Sequence, residues 1–113
     1  MRIQIAKQKF KISSRLRKHI ELSVGLALGR FGDRIGLVAV HCGSGRLDGS
    51  VQVKRCRIEV SLERPVSVEA ADADVFTAVD RATEHAVRSV ARVLEAENGG
   101  AATGYQRTGS TRK

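Results

Sequence analysis

Four stretches of the chain carry the hydrophobic pattern of β-strands. Three of them alternate apolar and polar residues, so that the apolar side chains fall on one face of each strand. The other is a largely apolar run rich in β-branched residues. In chain order, the predicted strands cover residues 2–6, 35–42, 51–62 and 66–70. Glycine and serine dominate residues 43–50, and this composition predicts a flexible loop between the second strand and the third.

Two further stretches repeat their apolar residues every three or four positions, which is typical of amphipathic helices. The first begins at the N-cap candidates Ser13 and Ser14 and is expected to stop at Gly32. The second covers residues 74–95. The order β-α-β-β-β-α predicts an α+β fold in which two helices pack on one face of a four-stranded sheet, as in a double-stranded-RNA-binding domain. The other face of the sheet would be open to solvent.

The second predicted helix carries a line of cationic residues. Because successive helical residues turn by about 100°, positions i, i+4, i+7 and i+11 fall within roughly 60° of one another. Here these positions hold Arg81, His85, Arg88 and Arg92, which we call the cationic stripe. A row of fixed positive charge suits a phosphate backbone. The alternative is a solvated face with local pairs such as Glu84 with Arg88.

The distribution of charge also favours an anionic partner. The 113 residues have a net charge of +8, of which residues 1–30 carry +7, residues 31–97 carry −2 and residues 98–113 carry +3. Uneven basic charge favours a nucleic acid or another anionic surface as the partner. The polar C-terminal composition has little to bury, so we expect one domain over residues 1–96 and a flexible basic tail over 97–113.

A second group of candidate RNA-binding residues lies on the third predicted strand. Arg55 and Arg57 point the same way from this strand, and Lys54 stands beside them in the sequence. Such a group can contact phosphates. The alternative is cross-strand charge pairing, for example with Glu69 on the neighbouring strand.

The remaining patterns do not indicate an enzyme, a metal centre or a membrane protein. Cys42 and Cys56 would be neighbours in a hairpin centred on Gly49, and we expect two small buried hydrophobic side chains rather than metal ligands. The loop at 43–50 lacks the Lys-Ser/Thr ending of a P-loop. The chain has neither an apolar run of 18 residues nor a signal-peptide pattern. We therefore expect a cytoplasmic protein with no catalytic activity, no cofactor, no membrane partner and no small-molecule substrate.

Two segments, together with the order of the elements, resemble the ribosome hibernation promoting factor family, which includes the ribosome-associated translation inhibitors. The first segment is the helix-to-strand turn RFGDRI at residues 30–35. The second is ADVFTAVD at residues 73–80. It matches the Asp-hydrophobic-aromatic-x-Ala-hydrophobic-Asp segment that opens the second helix of the family and precedes its basic residues. The resemblance covers about residues 1–95.

The resemblance implies a stress factor that binds the small ribosomal subunit in the decoding channel, contacts its rRNA and represses translation by idle ribosomes. The RNA contacts would come from the cationic stripe and from Arg15 and Lys18 on the first helix. The chain has no room for the second domain of longer members, so the resemblance implies the short form, which is expected to be monomeric when free. This chain departs from the family pattern at five positions where lysines are common in the family. These positions hold Leu22, Ser23, Leu26, Glu95 and Glu97.

Two other functions are compatible with the residues. A generic double-stranded RNA module has a related arrangement of elements, but it uses lysines at the start of its last helix. This chain has Asp72 and Asp74 there. A regulatory protein–protein module would use Leu22 and Leu26 on the first helix as its contact. Salt separates the two kinds of partner, because it weakens phosphate contacts and leaves apolar contacts in place.

Overall fold

The computed structural model describes residues 1–6, 11–49 and 51–102 and confirms the predicted order β-α-β-β-β-α. A short 3-10 segment at Gly29–Arg34 follows the first helix. The elements are β1 (Arg2–Ile5), α1 (Ser14–Leu28), β2 (Leu37–Leu47), β3 (Val51–Val60), β4 (Val66–Asp72) and α2 (Val75–Ala102). None of the described helices is long and apolar enough to cross a membrane.

The four strands form one mixed sheet in the order β1-β2-β3-β4. The strand β1 runs parallel to β2, because α1 provides the long crossover that a parallel pair requires. The other two pairs are antiparallel, and both are joined by short connections. This topology leaves β1 and β4 at the edges and brings the charged middle of β3 to the centre of the sheet.

Both helices cover the same face of the sheet, as the sequence predicts. Alternation along the central strands turns Val40 and Ile58 toward the helices, where both side chains are fully buried. Small residues along α2 allow that helix to lie close to the sheet, and Ala82 and Ala86 have no exposed surface. The helices contribute further buried side chains to the core, Leu16, Ile20, Val24, Leu28, Ala78, Val79, Val90 and Leu94.

Side-chain caps fix where the helices begin. The Ser13 hydroxyl accepts a hydrogen bond from the Leu16 amide at 3.1 Å, which confirms Ser13 as the N-cap of α1. The Asp74 carboxylate accepts one from the Thr77 amide, also at 3.1 Å, and caps α2. The α-helix ends at Leu28, before the stop expected at Gly32. The 3-10 segment that follows is interrupted at Gly32, which has a φ of +57°.

The predicted loop at residues 43–50 is wrong. The strand β2 continues to Leu47 and pairs with β3 as far as Val51, so that the turn is confined to the tip of a long hairpin. Asp48 and Gly49 adopt positive φ values of 53° and 77° in this turn. Pairing with β3 satisfies the backbone of the glycine-rich segment, and this tertiary contact outweighs its low strand propensity.

The second helix also extends beyond its predicted end. It was expected to stop at residue 95, whereas α2 continues to Ala102 and therefore enters the segment predicted as a tail. Glu95, Ala96 and Glu97 are good helix formers and favour the first part of this extension, whereas the two glycines that follow at 99 and 100 do not. Residues 103–113 lie outside the described residues, and the division into a domain and a flexible tail stays a prediction.

Candidate nucleic-acid interface

The cationic stripe forms one ridge on the outer side of α2. Arg81, Arg88 and Arg92 are exposed, and His85 is half-buried beside them. The opposite side of the helix is anchored in the core by residues such as Val90, which has no exposed surface. The structure therefore brings the four predicted residues together and directs them to solvent.

The arginines of the stripe form no salt bridge with any residue of the described ranges. The alternative pair of Glu84 with Arg88 is not among the ion pairs of this part of the chain. Glu95, three positions after Arg92, is likewise not among these ion pairs. The carboxylate of Asp80, which precedes Arg81, lies 2.7 Å from His19 on α1. Among the described residues, the guanidinium groups of the stripe therefore face solvent without an anionic partner.

The first helix lies beside α2 and presents its own exposed residues. Arg15 and Lys18 are exposed near its N-terminal end, so the helix layer carries cations on both helices. Leu22 and Leu26 follow along the same helix, with 55% and 81% of their surface exposed. The outer surface of α1 thus changes from cationic to apolar along its length.

The open face of the sheet carries Arg55 and Arg57, but both are paired with acids. The Arg55 guanidinium lies 3.3 Å from the carboxylate of Glu69 on β4, and this is the cross-strand pair that the sequence offered as the alternative. The Arg57 guanidinium lies 3.8 Å from the carboxylate of Glu59, and the other oxygen of this carboxylate lies 3.2 Å from His41 Nε2. Cations and acids therefore alternate on this face, and RNA contact by its arginines stays a prediction.

Strand alternation separates Lys54 from these two arginines. Its ammonium group donates a hydrogen bond to the hydroxyl of Ser44 at 3.2 Å. Lys54 and Ser44 are opposite each other on the face of the sheet that carries the helices, beyond the part that the helices cover. Gly45 explains how Arg55 lies flat on the open face, because a Cβ at this glycine would overlap the Arg55 Nε. The sequence gives no direct signal of that contact, which depends on the register of the hairpin that was predicted as a loop.

Several contacts between the helices and near the end of α2 have no signal in the local sequence. His19, Ser23 and Asp80 form a polar cluster between the two helices, although 61 residues separate the histidine from the aspartate. Arg34 donates to Glu97 at 3.3 Å, so one of the acids near the end of α2 is neutralised by a cation. Separation along the chain explains this, because local periodicity carries no information on such pairs.

The two cysteines are neighbours, as predicted. Cys42 and Cys56 are directly opposite in the β2–β3 register, and both are buried free thiols. The hydrogen bond with Cys42 and burial raise the pKa of the Cys56 thiol, which keeps this group protonated and unreactive. Among the described residues, no cluster of three or more histidine, cysteine or acidic side chains could hold a metal ion.

Comparison with known proteins adds a family and a fold. The family model described as sigma 54 modulation protein / S30EA ribosomal protein matches residues 3–97. A ribosomal subunit interface protein from Coxiella burnetii has the same fold, with a TM-score of 0.72 at 20% identity, over 83% of this chain and 98% of that one.

The N-terminal domain of Protein Y from Thermus thermophilus is also similar, with a TM-score of 0.62 and 26% identity. The alignment covers 81% of this chain and 94% of that domain. No curated protein sequence matches the chain significantly.

Proposed function

The chain belongs to the sigma 54 modulation protein / S30EA ribosomal protein family, and from this membership we propose that it binds the small ribosomal subunit and represses translation by idle ribosomes. The family consists of ribosome-associated factors and is not a known enzyme family. We propose accordingly a cytoplasmic protein, monomeric when free, whose activity is binding rather than catalysis.

The observation that carries this proposal is the row of cations on α2, whose arginines form no salt bridge with any of the described residues. Arg81 and Arg92 are eleven residues apart, so the stripe extends about 16 Å along the helix. Fixed cations without internal anions can neutralise several phosphates of an RNA backbone at once. The site we propose is the decoding channel, where occupation by this protein would exclude messenger and transfer RNA.

Recognition would depend on phosphate positions and RNA shape rather than on base identity. The chain contains three phenylalanines, one tyrosine and no tryptophan, which leaves few rings on which bases could stack. Phe31 and Phe76 are both packed against the core and are thus engaged within the protein. Contacts of this kind need no cofactor, and they weaken predictably as salt competes for the phosphates.

Co-sedimentation with isolated small subunits, across a salt series, tests this function. We expect stoichiometric binding at low salt that declines as salt rises, and displacement of the protein by messenger RNA together with transfer RNA. Isolated large subunits serve as the control and should not carry the protein into the pellet. Absence of binding to small subunits at low salt would overturn the proposal.

A second candidate function rests on the exposed leucines of α1. Leu22 and Leu26 form an apolar pair one helical turn apart, and Leu26 is 81% exposed. A regulatory protein–protein contact at this pair would persist at high salt. Replacing both leucines by serine should then abolish partner binding, whereas ribosome binding through the stripe should be unaffected.

A further inference from the structure

We propose that Asp80 and His19 are positioning residues that hold the cations of α1 and α2 at the spacing required for RNA. This inference rests on the proposed function, because its consequence is measured as binding to the small subunit. The cluster of His19, Ser23 and Asp80 is called the interhelix latch below. No residue of the latch is proposed to contact RNA itself.

The latch is a direct polar link between the outer sides of the two helices. The Nε2 atom of His19 lies 2.7 Å from an Asp80 carboxylate oxygen. The Ser23 hydroxyl, one turn farther along α1, lies 3.4 Å from both of these groups. The edge of the His19 ring also meets the ring of Phe76 on α2, with centroids 5.1 Å apart and an interplanar angle of 69°. Four side chains from two helices thus fix one relative placement.

The partner of Asp80 comes from α1 because its own helix provides none. Neighbours on a helical surface lie three or four positions away. At those distances from Asp80, α2 has Phe76, Thr77, Thr83 and Glu84. None of these is a cation, and the glutamate would repel the aspartate. The side chains that contact the half-exposed Asp80 carboxylate, His19 and Ser23, come from the other helix and so link the two helices.

The position of the latch relates it to the proposed interface. Arg15 lies one helical turn before His19 on α1, and Arg81 directly follows Asp80 on α2. A shift of one helix against the other would therefore change the distance between these cations. An acid on a surface that meets RNA opposes binding by its charge, and an exposed ion pair stabilises a fold only slightly. Neither property gives a reason for an acid at position 80, whereas control of the distance between the two helices does.

Three single variants separate the latch from the effect of charge. Asp80→Ala removes both the charge and the hydrogen-bond acceptor, whereas Asp80→Asn removes the charge and keeps an oxygen that accepts from His19. Glu84→Ala is the matched control, because it removes an exposed acid from the same helix without breaking the latch. Binding to small subunits is measured for each variant across a salt series, together with its thermal unfolding.

We expect Asp80→Ala to weaken binding by about three- to tenfold and to lower the dependence on salt, because contacts from one helix are lost. Asp80→Asn and Glu84→Ala should bind at least as tightly as the wild type. Charge alone predicts tighter binding for all three variants, and that result would overturn the inference. A lower melting temperature for Asp80→Ala, with binding and salt dependence unchanged, would also overturn it.

The variant His19→Ala removes the α1 partner of Asp80, and it provides the test if Asp80→Ala does not fold. It should weaken binding to the same degree, and the double variant should bind no more weakly than either single variant. Additive losses would contradict the latch. If the wild type itself fails to bind small subunits, the proposed function is overturned, whereas wild-type binding with an undisturbed Asp80→Ala variant overturns the latch alone.

Discussion

The two arginine-bearing surfaces of this protein differ in what surrounds each cation. On α2, Arg88 and Arg92 are exposed and form no salt bridge within the described ranges. On the open face of the sheet, Arg55 lies 3.3 Å from Glu69, and Arg57 lies 3.8 Å from Glu59. The helix therefore presents positive charge to a partner, whereas both of these arginines on the sheet face are paired with acids of the protein itself.

Spacing along the two kinds of element explains this difference. Glu69 lies diagonally across from Arg55, whose register partner is Ala71, and Glu59 lies two residues along the same strand from Arg57. Such neighbours on one face of a sheet are about 7 Å apart, which is within reach of long charged side chains. On the helix, the cations of the stripe repeat at three and four positions and so have one another as neighbours. Glu84 stands four positions before Arg88 but forms no ion pair with it among the described residues. The same residue type can thus provide a ligand surface on one element and a structural pair on another.

The strongest test of this comparison reverses charge on the helix. Arg88→Glu with Arg92→Glu should weaken binding to the small subunit by about 100-fold, because two phosphate contacts become repulsive. The slope of log affinity against log salt is negative, and it should become less negative by about 1.4, the value for two phosphate contacts with single-stranded RNA. Both side chains are exposed, so the melting temperature should stay close to that of the wild type.

A double variant with the same change in net charge controls for long-range electrostatics. Arg2→Glu with Arg64→Glu alters two exposed arginines that lie outside the helix layer. It should reduce binding by less than about fivefold, since exposed charges farther than a Debye length from RNA are screened. Equal losses for the two double variants would show that net charge alone governs binding.

Removal of the paired arginines should have a smaller effect. Arg55→Ala with Arg57→Ala is expected to weaken binding by less than about threefold, because these guanidinium groups already have carboxylate partners. Affinity for small subunits at moderate salt is the measurement. A loss as large as that caused by charge reversal on α2 would make the sheet face the principal interface.

The smallest expected effect comes from releasing Arg55 from its acid. Glu69→Gln removes the charge that holds this arginine, and Gly45→Ala displaces its side chain by adding a Cβ where the Nε lies. Each variant should change the free energy of unfolding by less than about 1 kcal/mol, as an exposed pair does. Chemical denaturation measures this change. Ribosome binding that rises markedly in either variant would show that the sheet face also meets RNA.

Periodicity was sufficient to predict the elements that carry the stripe. The alternation in β3 and the three- to four-residue repeat in α2 are local signals, and the structure confirms both elements. The β2–β3 hairpin was missed because glycine-rich composition favours a loop until a partner strand satisfies its backbone. The link between His19 and Asp80 was missed because it depends on packing between residues 61 positions apart.

Photocrosslinking to the small subunit tests the central claim most directly. A photoreactive amino acid is placed at position 84, which flanks the stripe on α2, or at position 67 on the open face of the sheet. Glu84 and Ser67 are both exposed, and neither replacement removes a proposed contact. We predict crosslinks from position 84 to rRNA of the decoding channel and none from position 67. Crosslinks to rRNA from position 67 alone would contradict the account.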